Sequence, residues 1–313
     1  MGRDEILMSE RRSRGDVRCP LLIHPHDAVV EGEYQSITPE IAGWQHLHFG
    51  ARRIARGHTW QHDTGEMEMC IVLLGGSFSI SSRWGEWRTD GARAHVFAGL
   101  PHAAYLPPHT RFTLTAESDA ADVGYGFTIG DPALKGFFIT PADVQAHGIE
   151  LRGGDNASRQ INAILPPGSP CHRLVCVEVY TPSGNWSSFP AHKHDSRKVN
   201  GEGKLIEASL DETYFYKFDK PQGFALQRVY TGDRSLNEIA EPHADDVVLV
   251  PRGYHPVVAG HGYNAYYLNC LAGSDQSLVN TDDPDHKWIY GTWRGMDARL
   301  PLVTLAMNKK VSS

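Results

Sequence analysis

Glu212-Thr213-Tyr214-Phe215-Tyr216-Lys217-Phe218 is a carboxylate followed by an aromatic run. Such a composition marks a strand, and alternate side chains of a strand share a face. On that parity Glu212, Tyr214 and Tyr216 point one way, and Thr213, Phe215 and Lys217 the other. The run has an earlier counterpart. Glu68 opens Glu68-Met69-Cys70-Ile71-Val72-Leu73-Leu74-Gly75-Gly76, and Pro107 stands 39 positions later (107 − 68). From Glu212 the same 39 positions (251 − 212) reach Pro251 in Val250-Pro251-Arg252-Gly253. The two copies are offset by 144 positions (212 − 68). The chain therefore reads as two copies of one β-unit, residues 1–150 and 151–313, joined near 145–165. The Gly-, Asp- and Ser-containing stretch 152–160 reads as a linker between them.

The rest of the chain agrees with an all-β architecture. Short runs at 69–74, 111–116, 174–180, 213–218, 224–230, 247–250 and 265–270 are bounded by Gly, Pro, Asp and Ser. Val175, Val177 and Val179 alternate with Cys176, Glu178 and Tyr180, the period of a strand. Helical periodicity is scarce, and 31 Gly and 19 Pro suit many turns, so a β-sandwich or barrel is expected. With 30 basic against 37 acidic residues the net charge is −7, which argues against a nucleic-acid binder. The five cysteines form no CxxC pair, so neither a disulfide framework nor a cysteine zinc site is expected. The charged first sixteen residues lack the apolar core of a signal peptide, and no apolar run approaches the roughly 18 residues that span a bilayer. A soluble, cytoplasmic protein is expected.

The chemistry concentrates in Pro190-Ala191-His192-Lys193-His194-Asp195. In an extended segment His192 and His194 share a face while Lys193 points away. Paired imidazoles on one face chelate a metal, although a chain with 17 histidines also produces HxH on its surface by chance. Two features favour a metal. Glu212 heads an aromatic strand where an unpaired carboxylate is costly to bury, and His255 follows a Pro-Arg-Gly-Tyr turn after the apolar run 246–250.

HxH, then Glu before a strand, then PxG with a nearby His resembles the cupin metal pattern. The ordered blocks 185–195, 210–218, 223–230, 245–256 and 262–273, with 152–164, resemble the 5-deoxyglucuronate isomerase family of inositol catabolism, related to the ketodeoxyuronate isomerases. The first half carries weaker traces at 65–76 and 104–110. The resemblance implies a bicupin whose second unit is catalytic, with His192, His194, Glu212 and His255 as metal ligands and zinc the preferred divalent ion over manganese, iron or nickel. The sequence departs from generic cupin spacing by a polar insertion, 195–211, read as a loop; Glu202 and Glu207 inside it are rival ligands. In the first copy Arg111 stands where His255 does in the second, so residues 1–150 are expected to hold no metal, though His62, Glu68, His102 and His109 are a possible second set.

The implied reaction is aldose–ketose isomerisation of 5-deoxyglucuronate to 5-dehydro-2-deoxygluconate. Arg228 is the expected partner of the substrate carboxylate, against an ordinary ion pair. Tyr214 is the expected proton donor or hydrogen bonder, and Tyr254 a weaker one; aromatic core is the alternative for both. A metal-bound hydroxide, Glu212 or Asp195 remain open as the base. The rival classes are a non-heme iron cupin dioxygenase and a sugar-acid-binding cupin without catalysis. A homo-oligomer with a small sugar acid as its only expected ligand, and no nucleic acid or membrane partner, completes the expectation.

Overall fold

The computed structural model describes residues 19–26 and 31–308; the charged N-terminal stretch lies outside the described residues. The all-β expectation holds. Each copy contributes one large and one four-stranded antiparallel sheet, and the second adds a two-stranded ribbon of His192–Lys193 with Thr281–Asp282. In the first, the large sheet runs, in spatial order, Phe137–Ile139, Ala103–Leu106, Met67–Gly75, Ala120–Ile129, His48–Ala55, Gly32–Ile37. In the second it runs Leu22–Ile23, Val247–Val250, Leu205–Phe218, Ala265–Gly273, Val175–Thr181, Arg159–Leu165, Ile149–Arg152. The strands opened by the two glutamates thus occupy matching places. Ala103–Leu106 and Val247–Val250 are again 144 positions apart (247 − 103).

Leu22–Ile23, early in the chain, pairs with Val247–Val250 and closes the edge of the second large sheet. Two stretches differ from the sequence-based expectation. Residues 152–160 are the turn of a hairpin, because Ile149–Arg152 pairs with Arg159–Leu165. Residues 195–211 are a second hairpin, with Asp195–Val199 folding back on Leu205–Phe218. Its turn is set by Asn200, whose Oδ1 accepts the N–H groups of Glu202 and Lys204, and by Gly203 at φ +78°. Polar composition suggested loops in both places, but cross-strand pairing decided otherwise.

The two large sheets pack face to face, so one apolar core draws Tyr34, Phe49, Cys70 and Val72 from the first copy and Cys176, Phe215, Leu268 and Cys270 from the second. Close approach needs glycine here. A Cβ on Gly126 would stand 2.8 Å from the Cys270 side chain, and one on Gly124 2.9 Å from Leu268. All five cysteines are free, with Cys70, Cys176 and Cys270 buried in this seam. No helix of the described residues is long and apolar enough to cross a membrane.

Polar ties cross the seam as well. Asp211 accepts the backbone N–H groups of Gln45, His46 and Leu47. Lys217, on the parity opposite Glu212, reaches Asp122 at 2.8 Å and Asp245 at 2.5 Å. Arg93 is fully buried and donates to Glu178 at 2.8 and 3.2 Å.

Candidate metal centre

Glu212 sits mid-sheet, flanked by Val250 on one side and Leu271 on the other, so the backbone fixes where its carboxylate points. His192 and Lys193 form a two-residue strand against Thr281–Asp282, and His194 follows. His255 comes directly after the Val247–Val250 strand and its turn.

Three of these side chains converge. His194 Nε2 is 2.9 Å and His255 Nε2 3.3 Å from the same oxygen of Glu212, Oε2. One ligand atom from each lies within 4.8 Å of the others, and all three residues are buried. His192 stands beside them, its ring centroid 5.0 Å from that of His255 in an edge-on arrangement. Lys193 points the other way, to Asp195 and to Glu207 at 2.6 Å.

The imidazoles are oriented from behind. His255 Nδ1 lies 2.9 Å from the Gly253 carbonyl and His194 Nδ1 3.3 Å from that of Leu210. A carbonyl only accepts, so Nδ1 carries the proton and Nε2 presents its lone pair to the centre. Burial lowers the His255 pKa to about 4 and drives that of His192 well down, so both rings are neutral near pH 7. Burial also opposes charge on His194, but the Glu212 carboxylate outweighs it and the net shift is upward. The buried His255 Nε2 has no hydrogen-bond partner. An orphaned imidazole nitrogen beside a second imidazole and a carboxylate suits a divalent metal ion, so the residues fit the group the sequence implied.

The cluster lies at a cavity of about 590 Å³, within the roughly 300–1,000 Å³ usual for small-molecule sites. Val177, Val179, Ile161 and Leu271 give it an apolar wall, and Tyr214, Tyr267, Ser188 and Asn269 its polar groups. Tyr214 meets Ser188 at 3.0 Å and its ring lies 5.9 Å from that of His255. Burial pushes the Tyr214 hydroxyl well above its usual range.

Other expected residues are not brought here. Arg228 turns away from the cavity; its guanidinium donates to Asn237 and lies over the Tyr230 ring. Its neighbour Gln227 has the inward parity and accepts from Tyr216. Tyr254 packs on Tyr230 outside the cavity lining. Asp195 is tied to Lys193 and to the Gly253 N–H. Among the carboxylates weighed as a proton carrier, Glu212 alone lines the cavity.

Two guanidinium groups do line it: Arg152, which is paired with Glu150, and Arg159, 7% exposed. Sequence reasoning passed over Arg159 because 152–160 read as linker. The available signal was strand parity, since Arg159, Ile161 and Ala163 share a face.

The possible second set in the first copy is dispersed. Glu68 accepts the N–H groups of His172, Arg173 and Leu174 and the hydroxyl of Tyr105. His102 meets Asp90, His109 is exposed beside Glu66, and His62 is exposed. An open depression of about 570 Å³ near His62 and Arg111 contains no ligating cluster among the described residues.

The rival ligands are also elsewhere. Glu202 is exposed at the hairpin turn. Glu207 is buried against desolvation's upward pull, yet Lys193 and Lys198 bring its pKa down to about 2. A depressed carboxylate stabilises the fold above its unfolded pKa, roughly 4.3, and loses that contribution as pH falls toward 2. Glu207→Gln is therefore expected to be less stable than the parent at pH 6, with the gap closing between about pH 4 and pH 2. Urea midpoints across that range check it; a gap independent of pH counts against the ion pairs.

Comparisons with known proteins agree with this geometry. The KduI/IolB family model matches residues 21–289. A 5-deoxy-glucuronate isomerase of Geobacillus kaustophilus is 39% identical over 270 residues, covering 86% of this chain and 95% of that protein. One of Bacillus subtilis strain 168 is 36% identical over 255 residues, covering 81% and 91%. The crystal structure of an IolB-like protein from Salmonella typhimurium superposes with a TM-score of 0.80 at 38% identity, covering 86% and 98%. The oxalate decarboxylase of Lactobacillus farciminis, at 12% identity and a TM-score of 0.57 over 84% and 88% of the two chains, shares the cupin-type fold alone. With the match running through both sheets and every residue of the cluster, the chain belongs to the KduI/IolB family.

Proposed function

We propose that this protein is a metal-dependent aldose–ketose isomerase that converts 5-deoxyglucuronate to 5-dehydro-2-deoxygluconate in inositol catabolism. The observation that carries it is the convergence of His194 and His255 on one oxygen of Glu212 inside a sugar-sized cavity, in a chain whose relatives bear the isomerase name. His192, His194, Glu212 and His255 would hold the ion, and zinc suits imidazoles with one carboxylate. Residues 151–313 would then be the catalytic unit and residues 1–150 a metal-free one.

A bound divalent ion would supply Lewis-acid polarisation of a carbonyl and its adjacent hydroxyl. The chain does the remainder. Tyr214, kept protonated by burial, donates a hydrogen bond to a sugar oxygen as charge develops there. Ser188 holds the Tyr214 hydroxyl in place, and Tyr267, anchored by Ser187 at 2.5 Å, braces the same wall. The apolar side chains of Val177, Val179, Ile161 and Leu271 exclude water, which strengthens these contacts. Five free thiols fit a cytoplasmic location. Leu226 and Ile239, exposed on the outward parity of the four-stranded sheet, are the candidate contact for a homo-oligomer.

The test is an anaerobic assay with 5-deoxyglucuronate. Turnover without oxygen, abolished by a chelator and restored by zinc, is the expected result. Oxygen consumption would support a dioxygenase instead, and binding without turnover a sugar-acid receptor.

A further inference from the structure

We propose that Arg159 receives the carboxylate of the sugar acid and makes the site selective for acids over neutral sugars, an inference that rests on the isomerase reading. Arg159 is 7% exposed and lines the cavity that holds the histidine cluster. It makes no hydrogen bond, ion pair or ring contact among the described residues, whereas buried Arg93 has its donors spent on Glu178, Tyr180 and three carbonyls. Its nitrogens are not among the enclosed unpartnered polar atoms and open on the cavity, and a guanidinium so little exposed, with no partner from the chain, is stabilised by an anion the protein does not itself supply.

The surroundings contain no internal candidate. The groups that act on Arg159 are the hydroxyls of Tyr267, Tyr214 and Tyr290 and the like charge of Arg152; burial pulls its own pKa downward. Of the carboxylates in the cavity lining, Glu150 is paired with Arg152 at 2.5 Å and Glu212 is engaged by the histidines. A guanidinium presents a planar fork of donors that matches a carboxylate with two parallel bonds. In an acyclic uronate the carboxylate and the carbonyl are opposite ends of the carbon chain. Engaging the first at Arg159 leaves the second for the imidazole cluster, so the residue sets orientation as well as affinity.

The experiment compares the zinc-loaded parent with Arg159→Gln and Arg159→Lys. Kinetics use 5-deoxyglucuronate and the corresponding sugar in which the carboxylate is a hydroxymethyl group. Calorimetric titrations use D-glucuronate and D-glucose. R159Q is expected to raise KM for the acid about 30- to 100-fold, the scale of hydrogen bonds to a charged group, with bound zinc unchanged. It should abolish the preference for acid over neutral sugar, and R159K should recover part of it. An unchanged KM and unchanged acid preference in R159Q would overturn the proposal. If R159Q does not fold, the acid-to-neutral ratio of R159K decides, since an unaltered ratio there overturns it equally. A parent that binds glucuronate without turnover, with binding lost in R159Q, would sink the isomerase reading and leave the anchor standing. A parent that turns over with R159Q unaffected would do the reverse.

Discussion

Replacing His194 with alanine is expected to strip the protein of its metal and cut isomerase turnover by about 1,000-fold or more. The magnitude follows from the several kcal/mol that Lewis-acid polarisation contributes, at 1.36 kcal/mol per tenfold in rate. His194 supplies the nitrogen nearest the shared Glu212 oxygen, at 2.9 Å, and its ring is held by Leu210 for that purpose. Without it the set falls to His192, Glu212 and His255, and of the two imidazole nitrogens that meet the shared carboxylate oxygen only that of His255, at 3.3 Å, is left, so the ion is held far less tightly. Metal analysis after dialysis, together with the turnover number, checks this. The core of the first unit, built from Trp60, Met69, Ile71, Phe78, Leu114 and their neighbours, contains no residue of the cluster, so the variant should unfold much as the parent does. Full activity with a full complement of metal in H194A would remove the basis for the proposed function.

The largest stability effect is expected at Arg93. Arg93→Met should cost about 3–5 kcal/mol, because it leaves the Glu178 carboxylate buried without its counter-charge. Glu178 is completely enclosed, and its remaining partners are the Tyr180 and Tyr266 hydroxyls at 3.0 and 2.9 Å, which share its charge without cancelling it. Arg93 belongs to the first copy and also donates to the Leu73, Val96 and Gly99 carbonyls and to the Tyr180 hydroxyl, so five acceptor groups lose a donor together. Urea unfolding should show a lower midpoint. Replacing the pair together by Met and Leu should recover much of the loss, since a buried pair is worth little against apolar packing. A single substitution costing under about 1 kcal/mol would mean that Glu178 takes up a proton or reaches water.

How far the sequence spoke for this architecture differs by feature. The strand pattern and the 144-residue repeat were legible because buried strands concentrate aromatic and β-branched residues between turns. The cluster was legible because HxH, a glutamate opening a strand and a histidine after a turn are local signals. What local signals do not carry is which way a side chain faces across a seam between sheets. Arg228 was expected in the cavity and lies outside it by one step of strand parity from Gln227. Arg159 was hidden by Gly and Asp neighbours that belong to a hairpin turn. Glu178 and Arg93, 85 positions apart, show nothing in either segment that foretells their pairing.

Glu68 and Glu212 occupy the same place in the two repeats and have opposite employment. Glu212 keeps a free edge toward two imidazoles, whereas both oxygens of Glu68 are saturated by backbone N–H groups at 172–174, inside the second repeat. Installing histidines around Glu68 would therefore not restore a twin centre. The carboxylate would have to abandon the backbone it clasps, and the junction between the repeats would open before any ion arrived. Two acids equivalent by position thus serve differently: one rivets the repeats together, and the other faces the cavity, where exchanging its neighbours can alter reactivity without loosening that rivet.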